Sequence, residues 1–427
     1  MRVLVVGATG LIGSAVCARL RADGHEVVGV ARSRSAMQSV DRAITLDIAK
    51  ATSPEEWEGH LDGVNAVVNC AGVFQQGLVE SPKGVHVAGI AALFRACENR
   101  GIRRVIHFSA IGVDRGAVSE FSRTKLAGDE VLTASGLDWV ILRPSVVLGR
   151  SAFGASALIR GLASLPFLPV MPATGPLQVV MMDDVVETVV FYLNPEAPSR
   201  TILELAGPRK ITFEDVVATY RHWLGWAPAR RALLPRWVAD LAYWSGDVAG
   251  WLGWRPPVRS TAKREMARGA VGDPNPWQAS TGLHPRDLSA TLEREPSSVQ
   301  ERWFSKLYFL KPVIFIVFAL FWIATGLISL GPGFDIGVGL MQRAGTGSLA
   351  APGVIAGALA DIAIGLAILY RPTARAGLHA ALAISLFYLV AGSILVPELW
   401  KEPLGPMMKI WPIMALNLVA LAILEER

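Results

Sequence analysis

Two kinds of hydrophobic pattern divide this chain near Lys311. Ahead of that point, apolar runs of strand length alternate with stretches of helical period. Behind it, apolar segments run for about 20 residues, the length of a helix that crosses a bilayer. Val3 to Val6 is uncharged and β-branched, the pattern of a strand buried on both faces of a parallel sheet. Ser14 to Leu20 follows as a helix. Further strands are expected over Gly24 to Ala31, Ala43 to Ile48, Val64 to Val68, Arg104 to Ala110 and Leu137 to Leu142, and an amphipathic helix over Val85 to Arg100. This alternation predicts an α/β fold on a doubly wound parallel sheet, which binds ligands outside the carboxyl ends of its strands. Ser151 to Leu224 reads as a smaller substrate region. Pro166, Pro169, Pro172 and Pro176 punctuate it, so no helix runs through that loop. Asp183 and Asp184 fall at a predicted helix N-terminus, where capping accounts for them better than paired-carboxylate chemistry.

Trp237, Leu241, Trp244, Val248 and Trp251 alternate four and three residues apart and share one helical face. Arg230, Arg231 and Arg236 flank it. The face suits packing against the front domain or over an apolar substrate pocket. It equally suits lipid headgroups, where Trp and Arg both find partners. Arg255 to Glu301 is polar and Pro-rich, the end of the soluble part and a linker. Four apolar segments follow, Pro312 to Leu330, Ala350 to Tyr370, Leu378 to Val396 and Pro406 to Leu424. At a rise of about 1.5 Å per residue each matches a hydrocarbon core about 30 Å thick. They predict an all-α four-helix transmembrane bundle. The expected domains are 1–225 for the sheet with its substrate region, 226–300 for the Trp-rich segment, and 301–427 for the membrane part.

Arg302, Lys306 and Lys311 precede the first span, and Arg371 and Arg375 lie between the second and third. This bias places the front domain and both termini in the cytoplasm, with Arg343, Lys401 and Lys409 on the opposite side. Asp361 stands in the middle of the second span, in one stripe with Gly353, Gly357 and Gly365. An aspartate there costs about 2.5–3.5 kcal/mol on insertion scales, so the stripe should face the bundle. Proton or quinone handling and a structural interhelical hydrogen bond both account for it.

The 427 residues allow two or three domains. The content is 52% hydrophobic and 18% charged, and the apolar back half explains that balance. A net charge of +5 without any basic repeat argues against a nucleic-acid partner and for membrane lipid. Cys17, Cys70 and Cys97 lack metal-ligand spacing and read as free thiols in a reducing compartment, with no metal site expected. No signal peptide is read, so the front domain is expected to stay in the cytoplasm.

The chemistry concentrates on the predicted carboxyl edge. Gly7, Gly10 and Gly13 follow the first strand and open a helix, a cradle in which backbone N–H groups face a pyrophosphate. Arg32 and Arg34 end the second strand where an acidic residue would favour NAD; guanidinium groups suit a 2′-phosphate, so NADP is favoured and NAD remains possible. Asp47, with Ile48, ends the third strand toward the adenine. The small residues Cys70, Ala71 and Gly72 let backbone pass over the cofactor. Ser109 and Pro144 with Ser145 end the fifth and sixth strands.

These residues resemble the short-chain dehydrogenase/reductases in their extended or atypical branch. The resemblance rests on Gly7-Ala-Thr-Gly-Leu-Ile-Gly13, Asn69-Cys-Ala-Gly72, Ser109-Ala-Ile-Gly112, Thr124-Lys125-Leu-Ala-Gly-Asp-Glu130, Leu142-Arg-Pro-Ser-Val-Val-Leu-Gly149 and the segment Gln178 to Val190. It covers Met1 to about Leu292, and is most similar to the subgroup related to the NADPH-binding accessory subunit of respiratory complex I. It implies cofactor contacts from Gly7, Thr9, Gly10, Leu11, Ile12 and Gly13, from Ser109 to a substrate carbonyl, and from Lys125 to the ribose hydroxyls. Catalytic members carry a Tyr four positions before the Lys; here that position is Phe121, which has no proton to give. Three readings follow: cofactor binding without chemistry, hydride transfer with another proton source such as water, Ser122 or a substrate group, or a site completed by the second half. The membrane part resembles the DoxX-like family over Lys306 to Arg427. Together these imply a membrane-tethered NADP(H)-binding reductase of a lipophilic, lipid- or quinone-like substrate, or a non-catalytic NADPH-binding scaffold, sensor or assembly factor at the membrane.

Overall fold

A computed structural model describes residues 1–34, 37, 39–77, 81–116, 118–403 and 405–424. The expected sheet forms. Strands β1 (Arg2–Val6), β2 (Glu26–Ala31), β3 (Arg42–Thr45), β4 (Ala66–Asn69), β5 (Arg104–Phe108) and β6 (Asp138–Pro144) pair in parallel in the order 3-2-1-4-5-6. That order changes direction beside β1, which opens a crevice at the carboxyl edge between β1 and β4. Register places Val6 opposite both Val30 and Asn69, and Asn69 opposite His107, so the loops leaving these strands meet at one edge. Three short strands follow, β7 (Val147–Leu148), β8 (Phe167–Val170) and β9 (Val180–Met181). A further strand, β10 (Thr201–Leu205), extends the main sheet to seven by pairing with β6. Hydrophobic pattern alone had not separated it from the substrate region, because its burial alternates and Glu204 interrupts it.

Both faces of the sheet are packed. Leu4, Val67, Val105 and Ile141 lie on one side with Trp57, Leu93 and Phe94. Val3, Val5, Val68 and Ile106 lie on the other with Val185, Tyr192 and Trp277. The proline-punctuated loop carries no helix, as expected, but β8 forms inside it and pairs with β11 (Arg230–Leu233). A helix starts at Met182 with Asp183 and Asp184 in its first turn. Neither side chain caps it; Asp184 accepts the Arg286 backbone N–H at 2.8 Å.

Residues Met1–Gly250 with Arg255–Lys306 form one compact unit; Trp251–Trp254 with residues 307–424 form the other. Among its described residues the second unit holds three helices long and apolar enough to cross a membrane, Leu310–Leu330, Gly347–Leu369 and Ala374–Leu395. The fourth expected span is corrected: helix covers only Ile410–Ile423. Those 14 residues reach about 21 Å, short of a hydrocarbon core of about 30 Å. The preceding Pro406–Lys409 stretch is turn rather than helix. An unexpected helix, Phe334–Arg343, joins the first two spans. The small residues let these helices meet: a Cβ on Gly365 would come 2.6 Å from the Ala319 carbonyl oxygen, and one on Gly357 3.3 Å from the Tyr388 hydroxyl. Asp361 is buried in this unit and Tyr388 Oη donates to it over a long 3.5 Å, which is the partner its stripe called for. Arg427, the end of the DoxX-like resemblance, lies outside the described residues.

Candidate active site

The opening glycines are required by space as well as by turn geometry. Gly7 has φ +79°, a conformation that side chains with Cβ rarely adopt. A Cβ there would come 2.9 Å from the Ala71 nitrogen, and one at Gly13 would run into the Gly7 carbonyl oxygen. Gly10 donates its N–H to Gly7 at 2.9 Å and caps helix Leu11–Ala22 with no side chain. The amides of Leu11, Ile12 and Gly13 form the first turn, where helix N–H groups have no intrahelical partner and face an anion readily. Thr9 stands half-buried on the same turn. These residues fit a dinucleotide diphosphate.

Along the edge, Arg32 and Arg34 are exposed at the end of β2. Asp47 is half-buried; it accepts the Ala49 N–H at 3.2 Å, and Ile48 beside it is buried. At the end of β4, Asn69 Oδ1 accepts the Ala71 N–H at 3.1 Å, which orients the amide so that Nδ2 donates to His107 Nδ1 at 2.9 Å. This holds the turn Cys70–Gly72, with Ala71 buried and Gly72 exposed.

Lys125 and Phe121 lie on helix Glu120–Thr133, four residues apart and therefore on one face. Lys125 is buried and donates to the carbonyl oxygens of Ala71 at 3.1 Å and Phe108 at 2.8 Å. An ammonium has three donors, so one is left beyond these two, and a Cβ on Gly72 would lie 3.5 Å from Nζ. Burial pushes the Lys125 ammonium down to about 8, against the opposing pull of Asp129. Phe121 packs against Phe74 with ring centroids 4.9 Å apart and planes tilted by 51°, and meets the edge of His86 at 5.8 Å. His86 is itself held: Nε2 accepts the Val73 N–H at 2.9 Å and Nδ1 lies 2.8 Å from Thr124 Oγ1. Burial holds this imidazole well below its ordinary value, and neighbouring Lys125 acts the same way.

Ser109 Oγ donates to Asp129 Oδ2 at 2.9 Å. Asp129 is buried and also accepts from Arg143 Nε and Nη2 at 3.1 and 3.0 Å. Burial raises its carboxyl even so, against the guanidinium and the hydroxyl. Asp129 was not singled out from the sequence, although it repeats the spacing of Phe121 and Lys125 and so had to share their face. Ser122 donates to Glu265 at 2.5 Å and accepts from Arg268 at 3.1 Å, so its hydroxyl is engaged with helix Ser260–Arg268. No local spacing in the sequence links those two segments. Pro144 ends β6, its carbonyl accepting the Ile111 N–H, while Ser145 Oγ donates to Ala270.

A parallel sheet in this order, a glycine cradle at its crevice and a buried lysine beside the small-residue loop make an NAD(P)-binding Rossmann domain that is similar to the short-chain dehydrogenase/reductases. Residues 7–158 match the NAD(P)H-binding family model, and residues 319–418 match the DoxX-like family model. An uncharacterised protein of Mycobacterium tuberculosis is 30% identical over 219 residues, 51% of this chain; the chain spans only 23% of that protein's length. The sterol demethylase protein B of Methylococcus capsulatus is 28% identical over 332 residues, 71% of this chain and 99% of that protein. The ceramide reductase of Caulobacter vibrioides is 22% identical over 230 residues, 53% and 71% of the two. Among solved structures, the UDP-glucuronic acid 4-epimerase of Bacillus cereus with NAD superposes at a TM-score of 0.52 and 20% identity, over 72% of this chain and all of that one. That likeness shows the shared fold.

Proposed function

We propose that the protein is a multi-pass membrane reductase that prefers NADPH and acts on a lipophilic, lipid- or quinone-like substrate, with its Rossmann unit in the cytoplasm. The carrying observation is the pairing of Lys125 with an apolar wall. One donor of a buried ammonium remains at the cofactor edge, and Phe121, with Phe74 against its ring, stands where catalytic members of the resembling family place a Tyr acid. When bound, NADPH supplies a hydride. Lys125 would hold the ribose, the amides of residues 11–13 the diphosphate, and Arg32 and Arg34 a 2′-phosphate. Phe74 and Phe121 exclude water from one side and receive an apolar chain. Ser122 is committed to Glu265, so the proton that follows the hydride comes from water or from the substrate itself. The lysine and arginine bias along the membrane part supports the orientation, and two relatives named for a ceramide and a sterol support the substrate class.

A second reading, an NADPH-binding scaffold without turnover, is favoured by one observation: the hydroxyls of Ser109 and Ser122 both point into internal networks. Full-length protein in nanodiscs, given NADPH and a lipid or quinone extract, separates the two. Loss of reduced-nicotinamide absorbance, abolished in Lys125→Ala and increased in Phe121→Tyr, is the result expected of a reductase. Nucleotide binding with no oxidation under any extract overturns it and leaves the scaffold. Equal affinity for NADH and NADPH, unchanged in Arg32→Ala/Arg34→Ala, overturns the NADP preference.

A further inference from the structure

Helix Arg236–Trp251 turns its apolar stripe outward. Trp237, Leu241, Trp244 and Trp251 are 70%, 54%, 63% and 66% exposed. The opposite face is closed: Ala239 and Tyr243 are buried, a Cβ on Gly246 would strike the Val258 carbonyl, and one on Gly250 would meet the Arg259 guanidinium. Polar bonds pin that inner face. Asp247 accepts from Gln75 Nε2 at 2.8 Å and from the Ser260 N–H at 3.2 Å, and Arg259 donates to the Gln76 carbonyl at 3.0 Å. The helix is therefore fixed with Trp237 and Trp244 facing away from its own unit. Isolated exposed apolar residues are ordinary, but a contiguous stripe of large ones marks a surface that something covers.

Two observations say what covers it. The stripe is Trp-rich and has exposed Arg230 and Arg236 at its start, the composition that sits among headgroups. Its end is joined to the membrane part. The residues Trp251–Trp254 belong to the second compact unit, where the Arg371 N–H donates to Leu252 at 2.9 Å, Trp254 Nε1 donates to Leu369 at 2.8 Å, and the Trp254 ring lies on Phe315. Leu369 ends one candidate span and Ala374 begins the next, so Trp251–Trp254, which continue the chain from this helix, pack at the ends of those spans within the second unit. We infer that helix Arg236–Trp251 lies in the membrane interface, with the face of Trp237, Leu241, Trp244 and Trp251 seated in lipid and the arginines at its start on anionic headgroups. The lipid surface is the partner. Gln75 follows Phe74, whose ring lies on Phe121, so the seated helix also holds the reaction-edge loop next to the lipid. That last consequence rests on the reductase reading; the seating does not.

The test uses the full chain labelled with 5-fluorotryptophan in nanodiscs of phosphatidylcholine with phosphatidylglycerol. The Trp237 and Trp244 resonances are assigned by their disappearance in Trp237→Phe and Trp244→Phe. A lipid carrying a nitroxide near its headgroup should broaden both beyond detection and leave the buried Trp57 and Trp277 sharp. Arg230→Glu/Arg236→Glu should restore part of the Trp237 signal. Broadening by a water-soluble gadolinium chelate with none from the lipid overturns the proposal, because the face is then in water. Broadening by neither overturns it as well, because protein then covers the face. No outcome depends on turnover, so a failed seating and a failed reductase are told apart.

Discussion

The two compact units invert each other. Around the sheet of the Rossmann unit the large apolar side chains point inward, and its buried charges are held by short bonds: Ser109 and Arg143 donate to Asp129 Oδ2, and Lys125 donates to two carbonyls. In the membrane unit Leu320, Phe387 and Ile394 point outward, while Asp361, Ser385 and Asn417 are buried. There the polar groups are sparsely served. Asp361 has one long contact with Tyr388, and neither amide atom of Asn417 meets a hydrogen-bond partner among the described residues. The same rule produces both patterns. Apolar surface goes wherever water is absent, and in a bilayer that is the outside.

The contrast can be broken from either side. Arg143→Leu should cost most, about 3–5 kcal/mol of stability measured by denaturant unfolding, since it leaves a buried carboxylate without its guanidinium. Asp361→Leu should act with the opposite sign. In an insertion assay the segment Gly347–Leu369 should gain about 3 kcal/mol, because the aspartate pays the larger penalty in lipid. Gly13→Ala should destabilise by about 1–3 kcal/mol and remove nucleotide binding in calorimetry, because its methyl overlaps the Gly7 carbonyl.

The next effect is read with pH. The Lys125 ammonium is held down to about 8 from an ordinary 10.5, so the unfolded chain binds the more proton between those values. Stability from this group should therefore rise with pH from about 8 to about 10.5. Nucleotide affinity should fall over the same rise, as the charge facing the ligand is lost. Lys125→Met should weaken binding by about tenfold, the value of one charge-assisted hydrogen bond, and flatten that profile. Smallest is Tyr388→Phe, which should change stability in detergent by about 0.6 kcal/mol, the usual value of an interhelical hydrogen bond in lipid.

Periodicity read the sheet well where burial was symmetric. The apolar runs within β1, β2, β4 and β5 stand within a few residues of their expected limits, because the middle of a strand covered on both faces must be apolar. It failed at β10, which carries Glu204 in its interior. It also overran at the fourth span, where composition stayed apolar through a turn that the chain does not take as helix. The glycine cradle and the face shared by Phe121 and Lys125 were legible because both rest on residues a few positions apart.

What the sequence determined unaided was therefore local or periodic: strand and helix order, the cradle, the apolar spans, and a stripe of tryptophans on one helical face. Only tertiary structure decided which way that stripe points, that Ser109 turns to Asp129, and that Glu265 and Arg268 engage Ser122 from more than a hundred residues away. The reason is physical. A spacing sets which side chains share a face, but the partner of that face is chosen by packing between segments whose separation along the chain carries no signal.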